Sequence, residues 1–181
     1  TNFPEVSYTG ATAHLNATGA THLIVRCLKI TSAASNYTLR TGTNAITHQC
    51  HIRNTGTNSG SACLDLISDG MALDCDIETA STGSTRAINT STRAFVVGSR
   101  VKCTPGIAIE AGGGQVTVLN CTIYESTTGI HVATASSVNS VSNTIVNCTG
   151  NGINLTTSLA SVCRIINTHI TGCGGYGIQL N

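Results

Sequence analysis

Carboxylates are the groups with which this 181-residue chain could cut a bond, and they are unevenly spread. Five of its eight acids, Asp65, Asp69, Asp74, Asp76 and Glu78, fall in one short stretch. Cleavage of a glycosidic bond commonly takes two carboxylates about 5–9 Å apart, one as acid and one as base or nucleophile. Asp65 and Asp76 are the candidate pair. The plainer reading makes these acids solvated turn and outer-face residues, and Asp69-Gly70 is an ordinary turn dipeptide. A catalytic carboxylate needs a cleft that perturbs it, which spacing alone does not supply. His131 stands alone and reads as an exposed strand residue. Gly112-Gly113-Gly114 lacks the Lys-Ser/Thr that completes a phosphate loop, so nucleotide binding is not expected.

The nine cysteines are the other reactive set. Cys50-His51-Ile52, Cys75-Asp76-Ile77 and Cys121-Thr122-Ile123 share a Cys-x-Ile phrase, whereas Cys103, Cys148 and Cys173 each lie shortly before Ile107, Ile153 and Ile178. Alternation with a period of two turns Cys and Ile to one side of a strand and the residue between them to the other. Inward thiols stacked on one another pack as small hydrophobes. Their odd number and recurrent placement point to free thiols and a reducing compartment, with no disulfide framework. The chain has no Cys-x-x-Cys and no His-x-x-x-His, so neither a metal nor another cofactor is expected.

The elements that must position these groups come from a repeat. A Gly followed by an apolar-x-apolar triplet recurs as Gly106-Ile107-Ala108-Ile109, Gly129-Ile130-His131-Val132, Gly152-Ile153-Asn154-Leu155 and Gly177-Ile178-Gln179-Leu180, about every 23–25 residues. Leu64-Asp65-Leu66, Arg86-Ala87-Ile88 and Tyr37-Thr38-Leu39 are degraded copies upstream. No segment keeps a helical period, and Thr, Val and Ile dominate between Gly and Asn breaks, so each unit is a coil of short strands. Stacked coils pair their strands about 4.8 Å apart, and seven would make a rod roughly 34 Å long. The Gly before the triplet suits a corner of positive φ, and Asn147 and Asn167 suit left-handed bends. The middle residues then form an outward column, Thr38, Asp65, Ala87, Ala108, His131, Asn154 and Gln179, and the Cys-x-Ile strands form another, Lys29, His51, Asp76 and Thr122.

Composition narrows the function. Charged residues are 9% and the net charge is +1, so there is no basic stripe for nucleic acid. Aromatics are 3% with no Trp, which leaves few platforms for stacking bases or sugars. A hydrophobic content of 40% in phase with the repeat argues against disorder. No apolar run is long enough to span a membrane, and the polar start at Thr1 has no leader character. Residues 1–181 read as a single domain, and the stop within a repeat suggests a segment of a longer chain. Thr41-Gly42-Thr43 and Thr55-Gly56-Thr57 do not recur coil after coil, so an ice-binding threonine ladder is not expected.

The pattern Asn-x-Ile-x-x-Cys-x-x-x-Gly-Ile-x-Leu resembles the right-handed parallel β-helix of the pectate-lyase-like superfamily, whose fold phage tailspikes and other virion appendages share. The resemblance covers roughly residues 20–181 and is strongest after 100. It implies an all-β right-handed parallel β-helix solenoid of about seven coils. Lyases of that group hold Ca²⁺ with acids and abstract a proton with a basic residue, roles the resemblance would give to Asp65 with Asp76 and to Lys29, Arg86 or Arg100, but their signatures, a paired Asp-Asp and an Arg-x-Pro-x-x-Arg, are absent here. The reading that follows is a structural and interaction module of a virion appendage or decoration, located in the virion or else extracellular. Expected partners are further copies of the chain in a homotrimer that hides outward apolar residues such as Val96, other virion proteins, and cell-surface polysaccharide. Loops at Ala33–Tyr37 and Asn54–Ala62 would present binding surface. The alternatives are a polysaccharide-degrading enzyme of tailspike type working through Asp65 and Asp76, and a carbohydrate-binding adhesin.

Overall fold

The computed structural model describes residues 5–8, 15–33, 37–56, 62–80, 85–133, 136–156 and 162–181, with backbone alone for 5–8. Every regular element among them is a strand, and the strands form three parallel sheets that the chain visits in turn. Sheet A runs from Glu5–Tyr8 to His169–Thr171 and sheet B from Leu15–Asn16 to Ile178–Leu180, with eight strands each. Sheet C has seven, from Ile24–Arg26 to Cys163–Ile166. The expected all-β parallel solenoid is present, with a coil count that differs slightly from the seven expected. Most of each loop expected to present surface, residues 34–36 and 57–61, lies outside the described residues.

The interior is a set of ladders. In sheet A, Ile30, Ile52, Ile77, Val101, Ile123 and Ile145 stand in register, each at 0% exposure. Sheet B repeats this with Leu39, Leu64, Ile88, Ile109, Ile130 and Ile153. Burial of one such side chain is worth about 1.5–3 kcal/mol, and no coil can obtain it without the coil above and below.

The turn from sheet C to sheet A explains the thiols. Gln49, Asp74, Gly98, Asn120, Ser142 and Asn167 all adopt positive φ there, as does Asn147 at the turn from A to B. The residue after each of the first five bends points inward: Cys50, Cys75, Ser99, Cys121 and Asn143 are buried. Where it is Ser or Asn it satisfies the coil before it. Ser99 Oγ accepts from Cys75 N at 3.1 Å, and Asn143 Oδ1 accepts from Cys121 N at 2.8 Å while its Nδ2 donates to Val118 O at 2.9 Å. Where it is Cys, the thiol donates to a carbonyl, as Cys75 does to Leu73 O at 3.3 Å and Cys121 to Leu119 O at 3.4 Å. All nine cysteines are free thiols in the structure.

Sheet B corrects three positions of the expected outward column. Leu39 pairs with Leu64, Leu64 with Ile88, Ile88 with Ile109 and Ile109 with Ile130. Thr38, Ala87 and Ala108 therefore fall in the row of Cys63 and Gly129, and all three are fully buried. The outward column is Asn16, Arg40, Asp65, Asn89, Glu110, His131, Asn154 and Gln179. The cause is a corner where two successive residues face inward, as in Ala87-Ile88 and Gly129-Ile130. Gly106 pairs with Thr85 and is not the counterpart of Gly129, although both precede an Ile. Gly129 and Gly152 do not have positive φ. Space requires them: a Cβ on Gly129 would lie 2.5 Å from Gly152 O and 2.7 Å from Ile145 Cγ2. On sheet A, Lys29, His51 and Asp76 align as expected, with Arg100 between Asp76 and Thr122.

Val96 is also corrected. It is fully buried in the interior, and its neighbours Phe95 and Val97 face outward.

Candidate functional site

The polar column of sheet B gathers the strongest chemistry. Asp65 is 1% exposed, yet it points away from the core. Arg40 Nε donates to its Oδ2 at 2.9 Å from the coil before, and Asn89 Nδ2 donates to its Oδ1 at 2.7 Å from the coil after. The Arg40 guanidinium lies 4.9 Å from the centre of the Tyr37 ring, which fixes its approach. Two places further on, Glu110 is ion-paired with Arg86, and His131 Nδ1 lies 3.9 Å from Glu110 Oε1. His131 Nε2 is 3.4 Å from Thr156 Oγ1. Burial, helped by the charge of Arg86, holds the imidazole below its ordinary pKa of 6.5, so it is neutral at pH 7. Arg86 also lines a cavity of about 220 Å³ with Thr85, Pro105, Gly106, Ile107 and Thr127, smaller than sites that enclose an organic ligand.

Sheet A and the turns repeat the arrangement in more open form. His51 Nδ1 is 3.3 Å from Asp76 Oδ2, Arg53 Nε 3.5 Å from Glu78 Oε2, and Lys102 Nζ 2.5 Å from Glu125 Oε2. The Glu125 hydrogen bond raises the Lys102 pKa above its ordinary value. At the turns His48 Nε2 is 3.6 Å from Asp74 Oδ2, and Arg93 pairs with Asp69. Every pair joins residues of successive coils, and together the pairs include all seven carboxylates whose side chains are described.

The candidate residues thus separate. Asp65 is on sheet B, and Asp76 is on sheet A with Lys29 and Arg100 in its column. Arg86 neighbours Glu110. Sequence reading missed Arg40, Asn89 and Glu110. The signal that finds them is the ladder of Leu39, Leu64, Ile88 and Ile109, whose following residue is polar each time.

Several buried thiols are poor nucleophiles, whereas the hydrogen bond with Cys75 lowers Cys50 to about 7. Burial pushes Cys103 and Cys148 up to about 12 and Cys121 up to about 11, and it raises Cys63 further. Among the described residues, no group of three or more His, Cys, Asp or Glu is placed to hold a metal ion. No helix there is long and apolar enough to cross a membrane.

A family model described as the right handed beta helix region matches residues 41–181. No curated protein and no solved structure matches the chain.

Proposed function

The chain belongs to the right-handed β-helix family, and from that premise we propose that it is a structural and interaction rod, a module of a phage virion appendage or decoration. The observation that carries this reading is the use made of the carboxylates. Each described one is engaged by a base on a neighbouring coil, so the acids tie together the coils between Arg40 and His131. Such pairs contribute little singly and more as a network. The resemblance to tailspike modules supplies the virion location and the partners, namely neighbouring virion proteins and cell-surface polysaccharide. Antibodies raised against the chain should decorate purified virions in electron micrographs. Labelling confined to host-cell surfaces or medium would overturn the virion assignment and leave the rod.

One observation favours an enzyme as the second reading. Asp65 and Glu110 share a column two coils apart, about 9.6 Å by strand spacing, close to the separation of inverting glycosidases. Catalysis would then run through that pair and not through Asp76, which is on another sheet. Against it, Asp65 is 1% exposed and Glu110 8%. Release of reducing ends or unsaturated sugars from bacterial polysaccharides, lost in Glu110→Gln, would establish the enzyme; no release is expected.

A further inference from the structure

Two pairs of thiols stack on successive coils. Cys50 and Cys75 each follow the bend from sheet C to sheet A, one residue before the in-register pair His51 and Asp76. Cys148 and Cys173 each follow the bend from sheet A to sheet B, at Asn147 and Gly172. Within each pair the two thiols are hydrogen-bonded to one another. Cys121 shares the row of Cys50 and Cys75, but its neighbours there are Ser99 and Asn143. Spacing suits both pairs to a covalent link. Stacked Cα atoms on parallel strands lie about 4.8 Å apart, inside the range of about 4.4–6.8 Å that disulfides span. The Cβ atoms share that spacing and have to close by about 0.3 Å to enter the disulfide range.

Acidity separates the two pairs. The Cys75 thiol donates to Cys50 and holds it at about 7, so about half of Cys50 is thiolate at neutral pH, and the same bond raises Cys75. One sulfur is then ready to attack while its neighbour keeps the proton needed to close a second bond. In the other pair, burial and the neighbouring Cys173 push Cys148 up to about 12. Access sets the size of the reactant. Cys50 and Cys75 are each 2% exposed and lie one residue beneath the exposed Gln49 and Asp74, which suits a reactant little larger than water and excludes a bulky disulfide. We propose that Cys50 and Cys75 form an oxidation site for small hydroperoxides, which convert the stacked thiols into a disulfide between successive coils.

The chemistry takes two steps. The Cys50 thiolate attacks the terminal oxygen of ROOH, and the O–O bond breaks. The sulfur keeps that oxygen as a sulfenic acid, and RO⁻ takes a proton from water and leaves as ROH. The Cys75 thiol then attacks the Cys50 sulfur. The S–S bond forms as the S–O bond breaks, and the departing hydroxide takes the Cys75 proton and leaves as water. Two electrons pass from the two sulfurs to the peroxide, and no other oxidant is needed. The product ties together two coils that the reduced chain holds only by hydrogen bonds and packing. The inference rests on the fold and does not depend on where the rod is deployed.

The test treats the reduced chain with hydrogen peroxide at neutral pH, blocks the remaining thiols with an alkylating agent and maps links by peptide mass spectrometry. A disulfide from Cys50 to Cys75 should form about tenfold faster than one from Cys148 to Cys173. The other seven cysteines should be alkylated, and dithiothreitol should restore all nine thiols. In Cys75→Ser the hydroxyl still donates to Cys50 but cannot close the bond, so oxidation should stop at a Cys50 sulfenic acid that dimedone traps. Serine already fills this row at Ser99, and far-UV circular dichroism shows that the variant keeps its strands. In Cys50→Ser, Cys75 should stay reduced. A wild-type chain that keeps nine thiols in millimolar peroxide, a first link at Cys148 and Cys173, or a folded Cys75→Ser chain that yields no dimedone adduct would overturn the proposal.

Discussion

At the scale of the residue, the decisive fact is how one buried charge is held. Asp65 points outward but is 1% exposed, with Arg40 and Asn89 closing on its two oxygens. Removing one partner from a fully buried ion pair costs about 3–5 kcal/mol, chiefly because the other charge is left without compensation. Arg40 is 37% exposed, so Arg40→Ala should cost less, about 2 kcal/mol. Asp65→Asn removes the charge and keeps the shape, so its expected cost is about 1 kcal/mol. Urea unfolding of both variants checks the order. A larger loss in Asp65→Asn would mean that attraction, and not an uncompensated carboxylate, dominates at this site. His131 supplies a pH dependence with a defined sign. Its folded pKa is depressed below 6.5, so the unfolded chain takes up the proton first. Its contribution to stability is complete above pH 6.5 and declines as pH falls from there toward the folded pKa. His131→Gln should flatten the stability profile on the acid side of pH 6.5. An unchanged profile would place the titrating group elsewhere.

At the scale of the element, the corners carry the specificity. Gly129 has ordinary φ but no room: an added methyl would meet Gly152 O and Ile145 Cγ2. Gly129→Ala should lower stability by about 1–3 kcal/mol through overpacking, although Ala87 and Ala108 occupy the same row in earlier coils without difficulty. Asn143→Ala should cost about 1–3 kcal/mol, because Cys121 N and Val118 O both lose their buried partner. Hydrogen exchange would locate that loss at residues 118–121, and protection unchanged there would refute the capping role. These corners also mark how far the sequence could be read. The Cys-x-Ile strands alternate without interruption, so Lys29, His51 and Asp76 were legible as one column. In sheet B two consecutive residues turn inward at the corner, and alternation fails for one step. A register anchored on Gly-Ile is two residues out at Gly106, which misplaces Thr38, Ala87 and Ala108 and hides Arg40, Asn89 and Glu110. Val96 is not legible as inward because only strand phase separates it from its outward neighbours Phe95 and Val97. The recurrent thiols were legible as inward groups. Their hydrogen bonds to turn carbonyls were not, because those depend on the bend before them.

At the scale of the whole molecule, every element touches its counterpart one coil away, so length is adjustable in units of a coil and only in those units. Stability of such a stack is a sum of coil terms and nearest-neighbour terms. Residues 131–153 make one complete coil, since Ile130 pairs with Ile153 and His131 with Asn154. That coil holds no carboxylate, so its loss breaks none of the acid pairs except the contact of His131 with Glu110. Removing 131–153 joins Ile130 to Asn154, places Asn154 over Glu110, and returns Ile170 to the ladder beside Ile123. The shortened chain should fold with parallel strands and unfold in urea with a slope lower by about one-eighth, because that slope follows the surface exposed. Removing 131–141 instead takes out half a coil. Sheet C then receives residues whose phase belongs to sheet A, and inward and outward positions exchange for every later strand. That chain should not give a cooperative transition. Equal behaviour of the two deletions would mean that the stack is held by local strand propensity and not by register between coils, and the ladders of Ile and of ion pairs would then be consequences of the fold instead of its cause.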